Sequence, residues 1–475
     1  MSLKEKHSAS VRQIITICVV TLLFILAIAL RVSLYGNITS DYTAFVSRWY
    51  DYIKSNGGFA AFKDNFYNYN PPYLYLLALA TYVPIAKLIA IKTIAVIFDC
   101  VLGLFTYLII RLKYKRSLAA IIGALVVLFA PTIFINSSAW GQCDAIYTAF
   151  CLGSLYFLLT DRPGWACAFF GLAFAFKLQA IFFLPVLLIL LCKKRLPIGY
   201  LVLIPAIFVL SLAPAYIAGR SASSLLGIYA QQISSGGSGG GGGQFGGGGQ
   251  FGGHRGSTTT GQFRGSTGTA PAGSGQPAGG QSGQGGFGGF GAGNVSFGSG
   301  LTYNAPSIYQ WLPTSPTSLW KWVGIILAGL FVLGVAILVF LSKQRLTTAI
   351  ILKLALVFVL GIPFFLPEMH ERYFYLADVF SIAFAFYFPY LFFVPLVVQL
   401  CSLGSYAPYM LHNTVVSLSL IAGAVLIMVI VTLTNLVLTL YPTLLARIMP
   451  SETKEEEPVI AASSTAQQQT KHATS

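Results

Sequence analysis

Charge is what this chain has least of. Asp, Glu, Lys and Arg make up 9% of its 475 residues, well under the quarter or so that a water-soluble domain carries. Acids are the scarcer sign, 14 against 29 Lys and Arg, and the basic residues fall in short groups between apolar runs. The formal charge of +15 therefore reads as a set of topology signals and not as a nucleic-acid surface. Cysteine is also sparse: the seven thiols lie mostly inside apolar runs and none forms a CxxC pair, so neither a disulfide framework nor a zinc site is supported. No convincing GxGxxG fingerprint, DxD pair or internal repeat is present, and neither a metal nor a cofactor is expected.

What fills the chain is apolar: 56% hydrophobic and 14% aromatic residues, with a mean hydropathy of +0.74. The apolar stretches are continuous runs of roughly 17 to 25 residues, too long for the ten-residue alternation of a membrane β-barrel. The fold class expected is all-α, a polytopic transmembrane helix bundle. Spans fall at about 13–34, 89–111, 118–136, 145–160, 164–178, 180–192, 197–217, 318–342, 347–365, 373–388, 389–405 and 413–440, about 12 in all. The first run follows Lys4, Lys6 and Arg12 without a small-residue cleavage pattern, so it reads as an uncleaved span.

With both termini inside, RLKYKR (111–116), Arg162, KKR (193–195), Lys343 and Arg345 all fall in short cytoplasmic loops, as the positive-inside rule requires. Counting PPYLYLLALATYVP (71–84) as a span would break that pattern, so it reads as a short helix near the outer surface. Residues 1–217 then form one transmembrane module with a first outer loop at 35–88. An outer loop at 218–317 contains a Gly-rich insert (235–300) that cannot bury enough apolar area to fold and is expected to be disordered. A second transmembrane module (318–440) and a disordered cytoplasmic tail (441–475) complete the layout.

The few charges gather in the outer segments. Asp41 follows the first span, and Tyr42, Phe45, Trp49 and Ile53 recur after it at helical spacing, so 42–55 reads as an amphipathic surface helix with Asp41 at its start. Asp41 is open there to two readings, a helix cap or a catalytic carboxylate. Asp51 and Asp64 are weaker candidates. In WGQCDAIY, Trp140 fits an aromatic belt, while Gln142 and Asp144 together could hold sugar hydroxyls. Lys177, flanked by apolar residues, could snorkel to the interface or face an anion; Asp99, inside the second span, reads as a satisfied interhelical polar residue. Most conspicuous is FLPEMHERYF, with Glu368, His370, Glu371 and Arg372 in five positions. It is either an ion-pair knot sealing a loop or an anion site, with Arg372 and His370 as donors and Glu371 orienting them.

The order of SDY, NYNPPYLY, WGQCD, FKLQA, NAPSIYQWLP and PEMHERYF resembles the GT-C superfamily of integral-membrane glycosyltransferases, which use polyprenyl-phosphate sugars. The chain is similar to bacterial mannosyltransferase-like members and to the dolichyl-phosphate-glucose glucosyltransferases, and more loosely to the GPI mannosyltransferase. Those glucosyltransferases carry Tyr-Pro-Pro where this chain has Asn70-Pro71-Pro72, and His-Glu-Lys where it has His370-Glu371-Arg372.

The resemblance implies membrane-parallel helices in the first outer loop, Asp41 as general base, and transfer of a hexose, mannose or glucose, with inversion. The donor would be a polyprenyl-phosphate sugar and the acceptor a lipid or glycan, with no nucleic acid involved. Substrate would be bound by His370, Glu371, Arg372, Lys177, Asp144, Gln142 and Trp140, at the outer face of a bacterial inner or plasma membrane. A lipid-linked glycan ligase or polymerase, or a transporter or flippase, are the alternatives; charges gathered on one face disfavour the latter.

Overall fold

A computed structural model describes residues 3–67, 69–115, 117–237 and 300–443. Nearly all of the Gly-rich insert and of the C-terminal tail lies outside these residues. The described residues are overwhelmingly helical; their strands are Thr302–Tyr303 and Met369–His370, which pair in parallel.

Seven helices are long and apolar enough to cross a membrane: Val11–Ser33, Lys87–Lys113, Ile198–Ile217, Thr317–Leu341, Thr348–Phe365, Pro389–Met410 and Leu418–Leu440. Leu118–Phe129 and Pro131–Trp140, bent by 48° at their junction, make an eighth if taken together. The bend follows from Pro131, which cannot continue the helical hydrogen bonding before it. The expected count of about 12 included Asp144–Leu159, Pro163–Phe176 and Tyr375–Tyr387, which have 16, 14 and 13 residues and fall short of the ~20 that a perpendicular crossing takes. These short helices pack inside the bundle, where neighbouring protein can satisfy their ends, so their length need not match the bilayer.

Burial sorts the long helices. Thr348–Phe365 is 83% buried and runs through the centre, whereas Val11–Ser33 is 6% buried and Ile198–Ile217 11%. The outer pair are apolar on nearly every face, as helices in contact with acyl chains are. Two apolar cores result. The larger joins the central helices, and a smaller, aromatic-rich one lies under the first loop, with Tyr42, Trp49, Tyr50, Ile53, Phe62, Tyr73 and Leu77.

The first loop runs through a π-turn, Tyr42–Val46, into Ser47–Ser55, which buries Trp49, Tyr50 and Ile53. Segment 71–84 begins as the helix Pro71–Thr81, with both prolines in its first turn, where a missing N–H costs nothing.

Polar groups inside the bundle are tied to each other. Arg31 and Asp99, both fully buried, form an ion pair at 2.8 Å, Ser137 Oγ donates to Asp99 Oδ2 at 2.6 Å, and Arg31 also donates to Leu128 O. Asp99 is thus paired across helices, joining the first helix, Lys87–Lys113 and the bent pair. Removing one partner strands the other charge in apolar surroundings. Asp99→Leu should therefore destabilise the protein by about 3–5 kcal/mol, and Arg31→Met together with Asp99→Leu should recover most of that. Thermal unfolding in detergent reads both; equal loss in the single and double variants would contradict the pairing.

Candidate functional site

The turn that closes the bent pair carries the first half of the site. Residues Ile135–Trp140 wind as a π-helix and end at Gly141, whose φ of 79° is a left-handed conformation that a glycine adopts without strain. Gly141 and Gln142 both donate their N–H to Asn136 O, so the chain reverses sharply before Asp144–Leu159 begins. This places Trp140 and Gln142 side by side at the mouth of the turn.

Asp41 meets them there. It does not cap the helix that follows: its own side chain makes no cap hydrogen bond, and Thr39 Oγ1 accepts from Tyr42 N instead. Its Oδ2 accepts from Trp140 Nε1 at 3.1 Å and from Gln142 Nε2 at 2.6 Å, and lies 3.5 Å from the Arg372 guanidinium. Two donors and a cation thus converge on one oxygen.

Tyr409 completes this corner. Its hydroxyl accepts from Asp41 N at 3.1 Å and lies 2.7 Å from Ser40 Oγ, while its ring stacks on Trp140 at 4.5 Å. Sequence reading missed Tyr409, because it lies at the end of an apolar helix where a tyrosine needs no functional explanation.

The second half is the 368–372 segment. Thr302–Tyr303, which follows the Gly-rich stretch in sequence, pairs with Met369–His370, and the Tyr303 ring stacks on His370 at 4.6 Å. Glu368 turns the chain with φ of 61°, uncommon for a side chain that is not glycine, and pairs with Lys321. Arg372 then points at Asp41. Its NH1 lies 3.5 Å from Asp41 Oδ2 and 3.6 Å from Glu371 Oε1, yet none of its nitrogens has a hydrogen-bond acceptor among the described residues, and its Nε is buried. The cation faces the Trp140 and Tyr373 rings, 5.6 and 5.9 Å from their centroids.

Charge in the segment is less than its sequence implies. Burial, helped by Arg372 and Lys177, pushes His370 down to about 2, so it stays neutral and its 3.9 Å approach to Glu371 is no ion pair. Burial raises Glu371 to about 7, against the pull of Arg372. Arg372 itself stays charged: burial opposes its charge, but the carboxylates of Asp41 and Glu371 more than offset this.

Lys177 and Asp144 form a third piece. Lys177 sits in extended backbone (φ −154°) where the Pro163–Phe176 helix stops, with Asn70 Nδ2 and Tyr229 OH donating to the freed carbonyls of Ala175 and Phe174. Its ammonium is buried and paired with Asp144, and lies 5.7 Å from the Tyr373 ring centroid that Arg372 also faces. Snorkelling therefore does not describe it. Asp144 is fully buried, with Oδ1 on Lys177 and Oδ2 accepting from Asn136 at 2.9 Å. Both its oxygens are taken up by protein donors, so it stands behind Lys177 and not at an open surface. Asn136 is buried and serves that carboxylate. Asp51 and Asp64 lie elsewhere, paired with Lys87 and Tyr52.

Residues 66–231 match the model of Glycosyltransferase family 87. No curated protein matches the chain. The glycosyltransferase-like segment contains Asn70, Trp140, Gln142, Asp144 and Lys177; Asp41 precedes it and the 368–372 segment follows it. Three stretches far apart in sequence thus supply one constellation: a carboxylate held at one oxygen, an arginine with unused donors, and a lysine on a carboxylate.

Glu371 gives this site a proton that leaves near neutrality. Below pH ~7 its carboxyl is neutral and above it a carboxylate faces Arg372, because burial has moved the group up from the usual range. Infrared difference spectra should show a protonated carboxyl band that fades between about pH 6 and pH 8 and is missing in Glu371→Gln. A spectrum unchanged over that interval would contradict the assignment.

Proposed function

We propose that the protein is an inverting membrane glycosyltransferase that moves a hexose, mannose or glucose, from a polyprenyl-phosphate donor to a hydroxyl of a lipid or glycan acceptor. The observation that carries this reading is the pairing, within 3.5 Å, of an Asp41 carboxylate anchored through Oδ2 with an Arg372 guanidinium that has no hydrogen-bond acceptor among the described residues. The match of residues 66–231 to a glycosyltransferase family supports the reaction class.

Asp41 is the general base. Trp140 and Gln142 hold Oδ2, which fixes the carboxylate plane and leaves Oδ1 for the acceptor hydroxyl. As that oxygen attacks the anomeric carbon, its proton passes to Asp41 while the bond to the phosphate oxygen breaks, and polyprenyl phosphate leaves from the opposite side. A single displacement needs one base and no carboxylate nucleophile.

Negative charge grows on the departing phosphate. Arg372 and Lys177 receive it, and neutral His370 can add a hydrogen bond. Since base and leaving group lie on opposite sides of the sugar carbon, Arg372 must move off Asp41 as the donor enters. Without donor, the Asp41 carboxylate occupies the place that phosphate takes beside the guanidinium.

Purified protein incubated with a panel of polyprenyl-phosphate mannose and glucose donors tests the reading. Consumption of one of them with transfer to an acceptor is expected. Asp41→Asn should lower turnover by about 10²- to 10⁴-fold and still bind donor, because it removes the base and keeps the size. Full activity in Asp41→Asn would sink the assignment. Arg372→Ala should weaken donor binding by roughly 10- to 100-fold, the worth of charge-assisted hydrogen bonds. Unchanged affinity would move the phosphate site elsewhere.

A further inference from the structure

One charged residue near the site has no carboxylate partner among the described residues. Lys92, in the second turn of Lys87–Lys113, is fully buried, and no ion pair forms on it among the described residues. Its ammonium instead donates to the carbonyls of Tyr35 at 3.0 Å, Asn37 at 2.6 Å and Ala139 at 3.2 Å, and reaches Leu34 O at 3.5 Å. A buried cation held only by backbone dipoles is an expensive way to fill space, which an apolar side chain would do without an electrostatic penalty.

What an apolar residue cannot do is join two backbones. The carbonyls of 34, 35 and 37 belong to the strand of chain that delivers Asp41 four residues later, and Ala139 immediately precedes Trp140. Lys92 therefore grips both sides of the contact in which Trp140 and Gln142 hold Asp41 Oδ2. Two further details fit this. Thr39 Oγ1 donates to Trp140 O at 3.1 Å across the same seam. A Cβ placed on Gly141 would sit 3.5 Å from Lys92 Cε, so the turn rests directly on the lysine stem.

We infer that Lys92 is a positioning residue that sets the register between the Asp41 segment and the Trp140–Gln142 turn. It touches neither substrate nor the reacting atoms. Its effect on catalysis rests on the reading of Asp41 as the base; its effect on the two segments does not. Small displacements of a base relative to its acceptor lower the rate steeply while leaving donor affinity largely alone.

The test uses full-length Lys92→Met and Lys92→Gln in detergent, with deuterium exchange and steady-state kinetics. In Lys92→Met, segments 34–45 and 136–145 should exchange faster while the central helices keep their protection. Turnover should fall by about tenfold or more with donor KM within about twofold, and Lys92→Gln, which retains two donors, should fall between Met and wild type. Unchanged exchange in both segments would overturn the inference. So would failure of both variants to fold, since that would assign Lys92 to folding and not to register. Loosened segments in Lys92→Met together with full activity in Asp41→Asn would leave Lys92 as the clamp and remove Asp41 as the base.

Discussion

A charge inside a bundle surrounded by lipid must be met by an opposite charge or by oriented dipoles, and that requirement organises this protein. Arg31 is met by Asp99, Lys177 by Asp144, Lys92 by backbone carbonyls, and Asp41 by Trp140, Gln142 and Arg372. Each of these joins segments distant in sequence. Together they pull the end of the first helix, the bent pair, the broken helix at Lys177 and the 368–372 segment into one place.

The pairings are not equivalent. In Arg31 with Asp99 and Lys177 with Asp144 the cation hydrogen-bonds its carboxylate, and each carboxylate also accepts from a neighbouring Ser or Asn, although Arg31 NH2 and Asp99 Oδ1 keep no partner among the described residues. The Asp41–Arg372 contact is looser: one carboxylate oxygen is anchored, and the guanidinium has no hydrogen-bond acceptor among the described residues. A hydrogen-bonded pair such as Arg31 with Asp99 ties helices together, whereas the guanidinium of Arg372 keeps its donors for something else. That difference marks Asp41 and Arg372 as the pair whose charge chemistry can use.

Much of this was legible from sequence because charge is so rare. In a chain of this hydropathy every acid and base in the outer segments is noticeable, and Asp41, Lys177 and Arg372 stand out for that reason alone. The helical spacing of Tyr42, Trp49 and Ile53 likewise gave away the first-loop helix. What sequence could not give was pairing. Asp144 and Lys177 are 33 residues apart, and only the fold shows that one sits behind the other. The number of crossings was also beyond it, because short helices packed inside protein carry the same composition as those that span lipid. Lys92 and Tyr409 escaped notice since a lysine near a helix start and a tyrosine near a helix end are ordinary interfacial residues.

Glu371 and His370 carry a further lesson about clusters. As letters they are an acid and a base beside an arginine; as buried groups Glu371 changes charge near neutrality and His370 is neutral, leaving Arg372 as the one fixed charge of the three. A site with two cations, Arg372 and Lys177, beside one anchored carboxylate suits a single displacement in which charge moves from base to leaving group. The most direct test of that account is the anomeric configuration of the product formed from a polyprenyl-phosphate hexose of defined configuration, read by NMR. Inversion is predicted; retention would make a carboxylate such as Asp41 the nucleophile in place of the base and would contradict the single displacement.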